Sequence, residues 1–234
     1  MKYKDTKKAV FLSRPNRFIA QVMLQGREET VHVKNTGRCR ELLIPGAEVI
    51  LEESRNPARK TRFDLICVKK ENQWVNIDSQ MPNKLVREWL PGNGGFSEDA
   101  NIRMEKAFGN SRFDLYVEDH GQKVYIEVKG VTLEENHTAL FPDAPTLRGI
   151  KHIEELIKCK EQGYGAWLIF VIQMGGVRQL EPNWKTHPQF GQTLRKAAAC
   201  GVKILAVDCQ VGEKEIVIRS SVPVNLEGKC ENAD

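Results

Sequence analysis

The chain reads as an α/β protein with an all-β N-terminal domain: a small OB-like barrel followed by a mixed-sheet α/β domain. Three observations predict this. The first third breaks into short β-branched or aromatic stretches punctuated by Gly, Asn and Pro. Beyond Pro82 the pattern turns to strand, helix, strand, helix, strand. The charge divides at the same place: residues 1–82 hold 16 Lys and Arg against 10 Asp and Glu, while residues 83–234 hold 19 against 21. The predicted boundaries are 1–82 for the barrel, 83–225 for the α/β domain and 226–234 for a polar tail.

In chain order, the barrel stretches are AVFLSRPNRFIAQVML (9–24), ETVHVKN (29–35), AEVILEE (47–53), RFDLICVKK (62–70) and QWVNID (73–78). About five short strands in so few residues favour closure, which removes exposed sheet edges. Only RCRELL (38–43) has a helical pattern among them. After Pro82, PNKLVREWL reads as a helix capped by Asn83, running to about Leu90 and stopped by Pro91-Gly92. PGNGGFSEDAN (91–101) is a loop, with a helical turn expected through Glu105. A strand hairpin over 112–131 follows. Thr146 opens TLRGIKHIEELIKCKEQG (146–163), in which Ile150, Ile153 and Ile157 form an apolar stripe and Gly163 and Gly165 mark the end. AWLIFVIQ (166–173) is continuously apolar, as in a strand buried on both faces. Residues 191–200 read as a helix and VKILAVDCQ (202–210) as a strand, with right-handed crossovers expected.

The 41% hydrophobic and 28% charged content is that of an ordinary globular chain. No apolar run approaches the roughly 20 residues of a membrane span. The basic start, MKYKDTKKAVFLSRPNRF, lacks the apolar core of a secretion signal, so a cytoplasmic protein with no membrane partner is expected. Cys39, Cys67, Cys159, Cys200, Cys209 and Cys230 are scattered singly with no CxxC, which argues against a zinc site or a dithiol motif. They are expected to be mostly reduced, several of them as small buried apolar residues. A homo-oligomer is left open.

The stretch FDLYVEDHGQKVYIEVKG (113–130) carries the chemistry. A two-residue turn at His120-Gly121 suits type I′ geometry and sets a register in which Asp114 faces Glu127 across the hairpin. Period-2 alternation puts Glu127 and Lys129 on one face, opposite Ile126 and Val128. Two adjacent carboxylates are unfavourable unless one is protonated or a cation binds. A hard divalent ion, Mg²⁺ or Mn²⁺, resolves the conflict and can activate water against a phosphodiester, with Lys129 beside it. The competing reading is a salt-bridge ladder on a solvated face, because Arg112 falls opposite Lys129 in the same register. The near-copy TRFDL at 61–65 has no Glu-x-Lys on the strand that follows, so the E-x-K distinguishes the second copy. Pro142-Asp143 follows Glu127 instead of preceding it and is a decoy. Glu105 is a candidate third acid ligand. Arg148 and His152, four apart on the next helix, are placed to reach a phosphate.

The positive charge of the first third clusters at turns: Arg14, Arg17, Lys34, Arg38, Arg40, Arg59, Lys60 and Arg62. Basic turns at a barrel mouth would contact backbone phosphates with little sequence specificity. Phe18 and Phe63 lie beside these turns, either to stack on bases or to enter the core. DNA is the expected partner.

RPNRF, VHVKNTGRCRELL, PARKTRFDL, SRFDL, IEVKGVTL and ALFPDAPTLRGIKHIEEL together resemble the sugar fermentation stimulation protein A family over about residues 9–220. The resemblance implies an N-terminal OB-like domain, a restriction-endonuclease-like domain of the PD-(D/E)xK type, DNA binding and a role in regulating sugar catabolism. By motif it places Asp114 at the first acid and Glu127 and Lys129 at the E-x-K. Phe-Asp replaces Pro-Asp, a change of little consequence because proline makes no metal bond. Three readings follow: a metal-dependent nuclease, a non-catalytic DNA-binding regulator of sugar catabolism, and an RNA- or nucleotide-processing enzyme.

Overall fold

The computed structural model describes residues 1–35 and 37–228; Thr36 and residues 229–234, which include Cys230 and most of the predicted polar tail, lie outside the described residues. Two compact units result. The first comprises Met1–Met81, Gln173–Gly175 and Cys209–Val217, and the second the rest of the described chain.

The first unit holds β1 (Thr6–Asn16), β2 (Ile19–Leu24), β3 (Arg27–Val33), β4 (Glu48–Glu53), β5 (Phe63–Lys70) and β6 (Gln73–Asn76). They lie in the order β3-β2-β1-β4-β5-β6, and a parallel pairing of β3 with β5, His32↔Asp64 and Val33↔Leu65, closes the first five into the OB-like barrel. Alternate residues point inward: Phe11, Val22, Val31, Val33, Leu51, Phe63 and Leu65 are all buried, which is the period-2 pattern of strands with one face in a core. The stretch 9–24 is two strands, not one. The turn between them is held by Asn16, whose side-chain oxygen accepts from the amides of Phe18 and Ile19.

RCRELL is not helical. It forms turns in which the Cys39 carbonyl accepts from the amides of both Leu42 and Leu43, and Cys39 sits at φ +44, a left-handed conformation that a helix cannot contain. Leu42 and Leu43 are nevertheless buried, so the apolar pair that imitated a helix face anchors a loop. The downstream segments complete this unit. The Asn76 amide donates to the Gln173 carbonyl, and Gln173 Nε2 donates to Asn76 Oδ1 and the Asp78 carbonyl.

The remaining elements are α1 (Met81–Trp89), β7 (Asn101–Phe108), β8 (Ser111–Asp119), β9 (Gln122–Val131), β10 (Glu134–Glu135), β11 (Thr138–Phe141), α2 (Leu147–Glu161), β12 (Gly165–Ile172), β13 (Gln179–Pro182), α3 (Pro188–Ala199), β14 (Lys203–Val211) and β15 (Ile216–Val222). The main sheet has the order β15-β14-β12-β9-β8-β7, with β9, β12 and β14 parallel and β7, β8 and β9 antiparallel. Helix α2 connects the parallel pair β9 and β12, and α3 connects β12 and β14, as parallel neighbours require. A small sheet, β10-β11-β13, stands apart. The apolar run of β12 is buried from Leu168 to Ile172, and Thr146 caps α2 by accepting from the Gly149 amide at 2.9 Å.

Two expectations fail here. Helix α1 begins at Met81, so Asn83 is inside it and does not cap it. The helical turn through Glu105 is instead strand β7, an edge strand whose Ile102, Met104, Lys106 and Phe108 alternate with more exposed residues. Among the described residues no helix is long and apolar enough to cross a membrane. Cys39, Cys67, Cys159 and Cys209 are buried and Cys200 is exposed; burial pushes the Cys67 and Cys159 thiols up to about 12.

Candidate functional site

The hairpin of β8 and β9 has the register set by its turn. His120 and Gly121 take φ +45 and +80, and pairs run from Asp119↔Gln122 to Leu115↔Ile126. There the ladder stops, one residue short of Asp114. The next connection is made by a side chain: Asp114 Oδ2 accepts from the Val128 amide at 2.8 Å, and its Oδ1 accepts from Asn83 Nδ2 at 2.8 Å. Of the expected salt-bridge ladder only the Lys129–Glu127 pair forms. Arg112 is turned away to Glu105 at 3.2 Å, and among the described residues no cation is ion-paired with Asp114.

Glu127 is buried, 2% exposed, on a strand flanked by β8 and β12. Its Oε1 accepts from Lys129 Nζ and His152 Nδ1. Arg148 Nε donates to His152 Nε2 at 3.4 Å, so that nitrogen is the acceptor and Nδ1 carries the proton toward Glu127. Glu127 Oε2 is buried with no hydrogen-bond partner among the described residues. Burial is the largest influence on both acids, and the outcomes differ. Burial and then the charge of Glu127 hold the Asp114 carboxyl above its ordinary value, against the Val128 amide, Lys129 and Asn83. At Glu127 burial pushes upward, but the His152 hydrogen bond and the Lys129 charge outweigh it and leave the carboxyl below its ordinary value.

The structure thus brings together Asp114, Glu127, Lys129, His152 and Arg148. It does not bring in Glu105, which takes φ +55 and points with Arg112 into solvent, both side chains about two-thirds exposed. Among the described residues no three of His, Cys, Asp or Glu converge on a metal position. Two carboxylates do adjoin, and the unpartnered Glu127 Oε2 fits a hard cation, which Mg²⁺-type sites often hold through only one or two carboxylates and water. Asn83 was missed as a site residue. Its signal was spacing: Asn83 lies three residues before the buried Val86, which puts a polar residue on the buried stripe of α1.

The basic residues of the barrel separate into three groups. Arg14 is a brace, not a phosphate contact: its terminal nitrogens donate to the carbonyls of Gly37, Arg38, Arg17 and Asn35 at 2.6–2.8 Å. Lys34, Arg59 and Arg62 are paired with acids, Lys34 with Asp64 and Asp78, Arg59 with Asp64, and Arg62 with Glu53. Arg17, Arg38, Arg40 and Lys60 are exposed. Phe63 is core, 1% exposed, whereas Phe18 is 44% exposed.

A closed five-strand barrel joined to a mixed sheet carrying an Asp and a Glu-x-Lys defines a two-domain protein of OB-like and nuclease-like parts. Comparison with known proteins gives the same division. Residues 12–77 match the SfsA N-terminal OB domain, and residues 80–215 match the sugar fermentation stimulation protein RE domain. The chain belongs to the sugar fermentation stimulation protein A family. It is 54% identical over 226 residues to a sugar fermentation stimulation protein homolog of Desulfitobacterium hafniense, covering 97% of this chain and 99% of that one. A Clostridium beijerinckii homolog is 53% identical, covering 97% and 100%. The solved structure of Pyrococcus furiosus SfsA in complex with Ca²⁺ superposes with a TM-score of 0.85 at 29% identity, over 96% of this chain and 98% of that one.

Proposed function

We propose that this protein binds DNA in the cytoplasm and hydrolyses phosphodiester bonds at Asp114, Glu127 and Lys129 with Mg²⁺ or Mn²⁺. The observation that carries this reading is the buried, unpartnered Glu127 Oε2 beside an Asp114 that lacks a cationic partner. Burial this complete leaves such an oxygen costly unless something positive meets it. A divalent ion held by the two acids would supply a water of lowered pKa and positive charge beside the scissile phosphate. The Ca²⁺ complex of the Pyrococcus furiosus relative supports the choice of an oxygen-seeking divalent ion. His152 fixes Glu127 from α2, Asn83 fixes Asp114 from α1, and the Lys129 ammonium lies at Glu127, where it can hold an attacking water or offset phosphate charge. Arg17, Arg38, Arg40 and Lys60 supply exposed charge for backbone phosphates on the barrel.

A second reading is a DNA-binding regulator of sugar catabolism that does not cut. It is favoured by the Lys129 ammonium at Glu127, which offsets that acid's charge from within the protein while His152 hydrogen-bonds the same oxygen. The two readings separate on a panel of single-stranded, duplex and branched DNA with Mg²⁺, Mn²⁺ or chelator. Metal-dependent cleavage by the wild type, lost in Asp114→Asn and Glu127→Gln, is expected. No cleavage of any substrate, with binding intact, selects the second reading. Loss of binding as salt rises is expected under both.

A further inference from the structure

The turn between β1 and β2 presents an aromatic ring with no structural duty. Phe18 keeps 44% of its surface exposed, while most phenylalanines of the chain are buried or half-buried. Its backbone is nevertheless fixed at both ends: the amide donates to Asn16 Oδ1 at 2.9 Å and the carbonyl accepts from the Val33 amide at 2.7 Å. The Arg17 guanidinium lies over the ring at 4.7 Å from its centroid. The ring is thereby backed by a cation while 44% of the residue's surface stays exposed.

The turn borders a cleft of about 310 Å³ whose lining includes Arg17, Arg38, Arg40 and Leu43 and no carboxylate. The cleft walls are tied together from inside by Arg14, which bonds the carbonyl of Arg17 on one side and those of Asn35, Gly37 and Arg38 on the other. The described lining is therefore positive without a carboxylate, and its walls are joined by the four Arg14 hydrogen bonds. A fixed aromatic ring beside a rigid basic cleft matches the two halves of a nucleotide, base and phosphate.

Resting on the DNA-binding reading above, we infer that Phe18 and Arg17, with Arg38 and Arg40, form a base-stacking site for single-stranded DNA. A duplex keeps its base faces stacked on one another, so only an unpaired strand can lay a base on Phe18. The phosphates flanking that base fall to Arg38 and Arg40.

The test is fluorescence anisotropy with an oligodeoxythymidylate of about 20 nucleotides, a hairpin duplex of similar size and an oligouridylate, in chelator so that nothing is cut. Wild type is expected to prefer oligodeoxythymidylate to the duplex about tenfold. Phe18→Ala should lose about that preference while leaving duplex affinity unchanged, and Phe18→Trp should restore it. Arg38→Ala and Arg40→Ala should weaken every nucleic acid alike and flatten the salt dependence. Phe18 is exposed on a turn, so circular dichroism of Phe18→Ala should match the wild type. Equal affinity of Phe18→Ala and wild type for the single strand overturns the stacking site alone. Tighter binding of oligouridylate overturns DNA as the strand. Failure of wild type to bind any of the three overturns the DNA-binding reading itself.

Discussion

RFDL occurs twice, at 62–65 and 112–115, once in each unit, and the two aspartates meet opposite surroundings. Asp64 sits between two cations, Arg59, which reaches it with two nitrogens at 2.6 and 3.0 Å, and Lys34 at 3.3 Å, with the His32 ring at 3.1 Å. Burial raises its carboxyl, but the Arg59 hydrogen bonds and the Lys34 charge outweigh it, and the group lies below its ordinary value. Asp114 sits beside another acid, with neutral donors from Asn83 and Val128, and lies above its ordinary value. The tetrapeptide is the same. What the neighbouring strand offers decides whether its acid is neutralised by ion pairs or is left beside a second acid. Asp64 is paired with His32 across the β3–β5 closure, which is why its cations come from the protein.

The contrast breaks most visibly in catalysis. Asp114→Asn is expected to lower DNA cleavage about 10³-fold, whereas Asp64→Asn should change the rate per folded molecule less than about threefold. Single-turnover kinetics below the unfolding temperature measure both. The next largest effect reverses the order. Asp64→Asn removes the anion shared by Arg59, Lys34 and His32 and should cost about 3 kcal/mol in urea titration. Because the folded Asp64 carboxyl lies below its free value, its contribution is complete above about pH 3.9 and is lost as pH falls through the lower folded value.

Divalent ions sharpen the comparison further. At about 100 times its dissociation constant, Mg²⁺ should stabilise the wild type and Asp64→Asn equally, by about 2.7 kcal/mol, and Asp114→Asn hardly at all. Equal stabilisation of all three proteins would place the ion elsewhere. The smallest effect has the opposite sign to that at Asp64. In chelator at neutral pH, Asp114→Asn should be more stable than the wild type, because a carboxyl raised on folding is destabilising when ionised. The gain should fade as pH falls and vanish below about pH 3.9, where Asp114 is protonated in both states.

Much of this was legible from local rules. The His120-Gly121 turn fixed the hairpin register, and the E-x-K marked the copy of RFDL whose aspartate adjoins a second acid. What escaped depended on side chains replacing backbone or reaching across the fold. The ladder ends before Asp114 because its carboxylate takes the Val128 amide, an exchange no periodicity records. Strand β7 was hidden by its edge position, where the weak alternation of Ile102 and Met104 competes with a polar sequence. Arg14 looked like any basic turn residue, and only the meeting of two loops shows that its nitrogens face inward.

The composition of the first unit has a consequence for how the chain is made. Its last strand ends near residue 76, yet the Asn76 amide bonds to Gln173, and the Tyr3 amide to Lys214. A ribosome would release the barrel sequence long before those partners exist. The N-terminal unit, first to be translated, cannot be finished until residues 209–217 emerge. Fragments cut at the apparent boundary near Pro82 should accordingly expose unbonded amides and fold less cooperatively than the whole chain.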